Sequence, residues 1–357
     1  MTPLRTAPKP ATDGRRVRVL VIDDSALMRR LMSDLLSVDP LIEVVGTAAD
    51  PFIARTKIKR LSPDVLTLDV EMPRMDGLSF LGNLMRLRPM PVVMVSTLTA
   101  KGAAVTLDAL AAGAVDCIAK PQADLGGGLS AYGEQLRAKV RQAANTRAVS
   151  RATAPNRPVP ATAYRHPNLH VIAIGASTGG TNAILDVLSA LPADTPPIVI
   201  AQHIPGAFSA AFAERLNQHS AMTVVHAGPS QPLLRGHAYV APGGFHLRVY
   251  RRGTAWHCGT SDDEPVNGHR PSVDVLFESV AQHVGSGAGA ALLTGMGSDG
   301  ARGLLALRNA GAYTLAQDQP SSIVWGMPGA AVALGAAQQV APLNQVATRL
   351  LGRGEVR

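Results

Sequence analysis

The sequence predicts two successive α/β units: a five-stranded doubly wound parallel sheet, then a three-layer unit on a mostly parallel sheet. Three observations carry this. Short apolar runs recur without polar alternation, as strands buried on both faces of a parallel sheet require. Segments with apolar residues at helical spacing alternate with them. Between the two series, from about Arg141 to Asn168, the text turns Ala-, Thr-, Arg- and Pro-rich, and Pro155, Pro158, Pro160 and Pro167 leave no hydrophobic period. A chain of 357 residues with 46% hydrophobic and 17% charged residues has the material for two cores. Aromatics are only 4%, so those cores are aliphatic.

The first series opens with an apolar run, Val17 to Ile22, ending in Asp23-Asp24. Ser25 is placed to cap a helix whose apolar positions are Leu27, Met28, Leu31 and Leu35. Ile42 to Val45 is a second strand, with a helix after Pro51. Val65 to Leu68 is a third, ended by Asp69, and Pro91 to Val95 a fourth, followed by Ser96-Thr97. A helix around Thr106 to Ala112 leads to a fifth strand near Asp116 to Ile118, then Lys120-Pro121.

Doubly wound sheets gather the carboxyl ends of their strands at one edge. Asp23, Asp24 and Asp69 would converge there and repel one another. A hard divalent cation resolves that repulsion, and Mg²⁺ prefers oxygen ligands with water and phosphate. A carboxylate beside such an ion can attack a phosphoryl group and become an acyl phosphate. Lys120 can then pair with the phosphoryl oxygens, and Ser96 can donate to them. An Asp at a strand end is often only a turn or cap residue. An ordered set of Asp-Asp, Asp, Ser and Lys-Pro at successive strand ends is much harder to explain that way. Residues 17 to about 137 resemble a response-regulator receiver domain of flavodoxin-like fold. The motifs are Val21-Ile22-Asp23-Asp24-Ser25, Leu68-Asp69-Val70-Glu71-Met72-Pro73-Arg74-Met75-Asp76-Gly77 and Lys120-Pro121. The resemblance implies Asp69 as phosphoacceptor, Asp23, Asp24 and Asp69 as the Mg²⁺ site, and Ser96 and Lys120 as sensors of the phosphoryl group.

The second series begins at His170 to Ile174, an apolar run feeding Gly175-Ala176-Ser177-Thr178-Gly179-Gly180. A helix follows, with Ile184, Leu185, Leu188 and Leu191 on one face. Gly-x-Ser-x-Gly between strand and helix is the pattern of a nucleophile elbow. A phosphate-cradling loop at a helix N-terminus is the competing reading, and this stretch alone leaves the two level. Further strands are expected at Ile198 to Ala201, ending in Gln202-His203, then at Thr223 to Val225 and Ala238 to Val240. Hairpin strands at His246 to Tyr250 and Ala255 to Cys258 come next, then a helix from about Val273 to Val284. A strand at Ala290 to Leu293 ends in Thr294-Gly295-Met296-Gly297-Ser298-Asp299-Gly300. A helix at Ala301 to Ala310, a strand at Tyr313 to Ala316 and a helix from about Pro342 to Leu351 complete the series.

Ser177, His203 and Asp299 thus each follow the carboxyl end of a predicted buried strand. Acyl transfer needs those three types together: a hydroxyl, a base to take its proton, and a carboxylate to orient that base. Backbone N–H groups of Thr178 and Met296 are the candidate oxyanion donors. The order Ser, His, Asp differs from that of α/β-hydrolases, and no histidine follows His283. Asp299 also fits a helix N-cap, and His246 and His269 remain competing bases.

The second series resembles the catalytic domain of the CheB family of chemotaxis protein-glutamate methylesterases and glutaminases. The matching motifs are Gly175 to Gly180, Ala201-Gln202-His203-Ile204-Pro205, Ala241-Pro242-Gly243-Gly244-Phe245-His246, His269-Arg270-Pro271-Ser272-Val273-Asp274 and Thr294 to Gly300. The resemblance implies Ser177 as nucleophile, His203 as base and Asp299 as orienting acid, with no cofactor for hydrolysis. It implies γ-methyl-glutamyl and glutaminyl side chains of methyl-accepting chemoreceptors as substrates, and the chemotaxis histidine kinase as phosphodonor. It also implies that phosphorylation of the first domain controls the second.

The expected division is a basic disordered tail at 1–16, a receiver at 17–137, a linker at 138–168 and a catalytic domain at 169–357. The tail has no apolar core of a signal peptide. No run is long enough to span a membrane. Two cysteines, Cys117 and Cys258, argue against a disulfide framework, so a cytoplasmic protein is expected. The net charge of +8 invites a nucleic-acid reading. However, no acidic residue lies between Glu134 and Asp186, while Arg137, Lys139, Arg141, Arg147, Arg151, Arg157 and Arg165 do. A solvated basic linker accounts for that excess, and no basic helix-turn-helix is evident, so no nucleic-acid partner and no membrane insertion are expected.

Overall fold

The computed structural model describes residues 15–72, 75–97, 99–121, 128–146 and 168–352. The expected tail up to position 14, most of the expected linker (147–167), and Pro73 and Arg74 of the Asp69 motif lie outside the described residues. The chain divides into two compact units, Met1–Ala152 and Thr153–Arg357.

In the first unit strands and helices alternate: β1 (Val17–Ile22), α1 (Ala26–Ser37), β2 (Ile42–Ala48), α2 (Pro51–Leu61), β3 (Val65–Asp69), α3 (Gly77–Leu87), β4 (Val92–Ser96), α4 (Ala100–Ala111), β5 (Asp116–Ala119) and α5 (Gly128–Asn145). The strands pair in the order β2-β1-β3-β4-β5, all parallel. Every residue of β3 and β4 is buried, as expected of strands covered on both faces, including the polar Thr67, Asp69 and Ser96. Side chains start the helices: Ser25 accepts from the Met28 N–H, and Asp50 from the N–H groups of Phe52 and Ile53. α5 runs past position 137, after which the linker was expected to begin. It continues through Asn145, because Val140 and Ala143 are buried and Arg141 reaches Asp39 at 2.6 Å. The basic stretch after 137 therefore begins as a packed helix.

The second unit contains β6 (Val171–Ala176), α6 (Gly180–Ser189), β7 (Ile198–Gln202), α7 (Gly206–Gln218), β8 (Thr223–His226), β9 (Gln231–Pro232), β10 (His237–Val240), β11 (His246–Arg252) and β12 (Ala255–Ser261). It continues with α8 (Val273–His283), β13 (Ala288–Leu292), α9 (Ala301–Asn309), β14 (Tyr313–Gln317), α10 (Met327–Ala333), β15 (Gln339–Ala341) and α11 (Leu343–Gly352). Seven strands form a parallel sheet, β15-β14-β13-β6-β7-β10-β8, and β11-β12-β9 form a small antiparallel sheet. Alternate residues serve opposite faces. Val171, Ala173, Val199, Ala201, Ala288, Ala290 and Leu292 pack in one core with residues of α8, α9, α10, β11 and β12. α6 and α11 touch each other, and they touch β6 and β13 respectively. The chain runs from β6 toward β7 on one side and from β13 toward β14 on the other. The strand order therefore reverses between β6 and β13, and ligands of open α/β sheets bind outside such a switch point.

Candidate active site

Ser177 follows β6, His203 follows β7, and Asp299 lies in the loop after β13. β6 neighbours both of the other strands, with Ala176 paired to Gln202 and Gly175 to Leu292. Ser177 and His203 are thus one step beyond a paired register position. Three further bonds tie them together. The His203 N–H donates to the Ala176 carbonyl at 3.1 Å, and the buried Gln202 amide donates to the carbonyls of Ser177 (2.8 Å) and His203 (3.1 Å). The Ser177 N–H donates to the Thr294 carbonyl at 2.9 Å, and the Thr294 hydroxyl to the Thr178 carbonyl at 2.9 Å. The turn carrying Met296 therefore runs beside the Gly175–Gly180 turn. Gly295 makes this possible, since a Cβ there would lie 2.8 Å from the Ser177 Cβ.

His203 Nε2 lies 2.8 Å from Asp299 Oδ2. Its Nδ1 is buried and has no hydrogen-bond partner among the described residues. Asp299 is 2% exposed, yet its carboxylate is richly supplied with donors. Oδ1 accepts from Asn267 Nδ2 (2.7 Å), the Ser272 hydroxyl (2.8 Å) and the Asp274 N–H (3.3 Å), and Oδ2 also accepts from the Val273 N–H (2.6 Å). Val273 and Asp274 are the first residues of α8, so Asp299 sits at the positive end of that helix. Burial works to raise its pKa. The bond and charge of His203, with the Asn267 and Val273 donors, outweigh burial and hold it well below the usual carboxylate range. Asp299 does not cap its own following helix, where Gly300 is the N-cap residue.

The competing bases are placed differently from His203. His246 is fully buried, with Nε2 against the Glu264 carbonyl at 3.0 Å and Nδ1 accepting from the Ser272 N–H at 3.2 Å. Its Nδ1 is thus committed to the Ser272 backbone and its Nε2 to the Glu264 carbonyl. His269 stacks on His203, ring centroids 3.7 Å apart and planes 12° from parallel. Asn267, Ser272 and Gln202 were not singled out as site residues from sequence. The Ser272 motif is legible as a helix cap, but nothing local in the text ties it to Asp299, 27 residues away.

The first unit carries the other predicted constellation. Ile22 pairs with Leu68, so Asp23 and Asp69 leave adjacent strands at the same level. Carboxylate oxygens of Asp23, Asp24 and Asp69 lie within 4.8 Å of one another. Lys120 Nζ reaches Asp69 Oδ2 at 2.7 Å and Asp23 Oδ2 at 3.2 Å. Burial pushes the Asp69 pKa up to about 6; the Lys120 hydrogen bond opposes this, and Asp23 adds to it. Burial works to lower the pKa of Lys120, but Asp69 and Asp23 hold it above its ordinary value. An all-oxygen donor set with surplus negative charge fits a hard divalent cation. Ser96 is fully buried, its hydroxyl 3.3 Å from the carbonyls of Thr97 and Gly102. It is thus turned to the first turn of α4. No helix among the described residues is long and apolar enough to cross a membrane.

Comparison with known proteins covers both units. Residues 172–350 match the family model of the CheB methylesterase, and residues 19–125 that of the response regulator receiver domain. A relative from Xanthomonas campestris pv. campestris, named protein-glutamate methylesterase/protein-glutamine glutaminase 1, is 58% identical over 94% of this chain and 96% of its own length. A relative of the same name from Hahella chejuensis is 55% identical over 94% of this chain and 95% of its own. The crystal structure of the Thermotoga maritima CheB methylesterase catalytic domain is 31% identical, with a TM-score of 0.51, over 52% of this chain and 98% of that one.

Proposed function

From the premise that this chain belongs to the CheB methylesterase family, with a receiver domain ahead of the esterase domain, we propose that Ser177, His203 and Asp299 hydrolyse γ-methyl-glutamyl esters and deamidate glutamines on methyl-accepting chemoreceptors. Family membership makes the chain an enzyme with a protein substrate and a phosphodonor kinase. The chemotaxis histidine kinase is the donor we propose.

The observation that carries the assignment is the state of His203. One ring nitrogen is bound to a buried carboxylate; the other is buried and without a partner among the described residues, beside the strand end that bears Ser177. With Nε2–H donated to Asp299, Nδ1 keeps its lone pair and takes the Ser177 proton as Oγ attacks the side-chain carbonyl. The imidazolium so formed is stabilised by Asp299, which its donors keep ionised. The tetrahedral oxyanion meets backbone N–H groups of Thr178 and Met296. The Ser177 N–H is already given to Thr294. Collapse expels methanol or ammonia with the proton from His203. Water, deprotonated by the same nitrogen, then releases glutamate from the glutamyl enzyme.

Control belongs to the other unit. Mg²⁺ held by Asp23, Asp24 and Asp69 would neutralise charge on an incoming phosphoryl group. Asp69 attacks phosphorus as the P–N bond to the kinase's phosphohistidine breaks and its electron pair returns to that imidazole, while Lys120 and Ser96 engage the phosphoryl oxygens. The test is initial methanol release from methylated receptor. Ser177→Ala and His203→Ala should each lose on the order of 10³-fold or more in kcat, with the fold retained. A near-normal rate in Ser177→Ala overturns the triad. A rate independent of His203 would favour the phosphate-cradle reading of the Gly175–Gly180 loop.

A further inference from the structure

One turn supplies two contacts to the His203–Asp299 pair. Val266 and His269 exchange backbone hydrogen bonds of 3.1 and 3.0 Å across Asn267-Gly268. Both central residues lie in the left-handed region, φ +55° for Asn267 and +75° for Gly268. That is the two-residue hairpin turn which Asn-Gly favours. Its last residue, His269, stacks on His203. Its first central residue, Asn267, is exposed, yet its amide nitrogen faces two buried carboxylates, Asp299 Oδ1 at 2.7 Å and Asp274 Oδ2 at 2.8 Å. An amide –NH₂ has two hydrogens, so it can donate to both at once. Asp274 is 1% exposed and also accepts from the Gly303 N–H (2.8 Å) and Arg302 Nε (3.3 Å). Arg302 donates in turn to Asn267 Oδ1 at 3.3 Å.

We propose that Asn267 is a positioning residue for the hydrolytic reaction: it grips the Asp299 oxygen that faces away from His203, and so fixes the other oxygen against the imidazole. This rests on the triad reading above. A carboxylate pivots about its Cβ–Cγ bond, and the bond to His203 constrains only one of its oxygens. Ser272 and Asn267 hold the other side. Asp274 and Arg302 are the anchors of Asn267, because they fix its amide from both ends.

The test uses the full chain and methylated receptor. Asn267→Gly removes the amide while leaving a residue that tolerates positive φ, so backbone strain does not enter. The expected result is a fall in kcat of roughly 10- to 100-fold with KM changed by less than about 2-fold. Asn267→Asp keeps the shape but sets a third carboxylate against two, and should lose at least as much. In an Asp299→Asn background, Asn267→Gly should cost nothing further, since its effect passes through Asp299. An unchanged kcat in Asn267→Gly overturns the proposal. So does a loss that multiplies in full with that of Asp299→Asn, or one expressed in KM alone. If Asp299→Asn itself leaves kcat unchanged, the triad reading has failed, and the positioning proposal falls with it.

Discussion

Asp69 and Asp299 are carboxylates of nearly equal burial, 1% and 2% exposed, whose pKa values shift in opposite directions. Both lose hydration. Asp299 gains five donors, whereas Asp69 gains Lys120 but faces Asp23. The sign of the pH effect at Asp69 follows. Its pKa is raised from 3.8 to about 6 on folding, so the folded state holds the proton more tightly than the unfolded chain. The stability from that proton is fully present below about pH 4, and is lost as pH rises through about 6. Without Mg²⁺, Asp69→Asn should flatten this part of the profile and raise the urea midpoint at pH 7. An Asn variant less stable than wild type at that pH contradicts the account. Asp299→Asn should cost less in kcat than Ser177→Ala, because it removes orientation but leaves nucleophile and base in place. Legibility at this scale divides by distance. The meeting of His203 with Asp299, and of Lys120 with Asp23 and Asp69, was foreseeable because each residue stands at a strand end or in the loop just after one. Asn267 was not, since its partners lie 7 and 32 residues away and only the fold brings an exposed turn onto them.

The elements that place the site depend on close approach. Val273 lies against both Gly175 of β6 and Gly300 before α9: a Cβ on either would fall 2.1 or 2.5 Å from its Cγ1. The Val273 N–H is also a donor to Asp299. Gly175→Ala should therefore push α8 away from β6 and loosen Asp299 at the same time. Overpacking of a filled core costs about 1–3 kcal/mol, so a lower melting temperature and a lower kcat should appear together. Normal stability and normal kcat in Gly175→Ala would show that the contact is not tight. Long, fully buried strands were legible from their apolar runs. β9, β15 and α10 were not assigned, since two, three and seven residues are too short to display a period. α4 was expected to begin near Thr106 but starts at Ala100, because Thr99 caps a first turn of Ala, Lys and Gly that carries no apolar pattern.

At the scale of the whole chain, two parallel sheets each present chemistry where the strand order reverses, at β1/β3 in one unit and β6/β13 in the other. Asp69 and Ser177 therefore belong to separate compact units. Basal hydrolysis should survive Asp69→Asn, whereas its stimulation should not. A phosphoryl group adds roughly one to two negative charges at Asp69. A change of a few kcal/mol in a two-state equilibrium shifts populations many-fold, enough to control an enzyme. The most direct measurement is the initial rate of methanol release from methylated receptor, with and without a small-molecule phosphodonor and Mg²⁺, for the full chain and for Asp69→Asn. The expected result is a several-fold rise for the wild-type chain, none for Asp69→Asn, and the same unstimulated rate for both. A donor-independent rate in the wild type, or stimulation that persists in Asp69→Asn, would contradict a phosphorylation-controlled esterase.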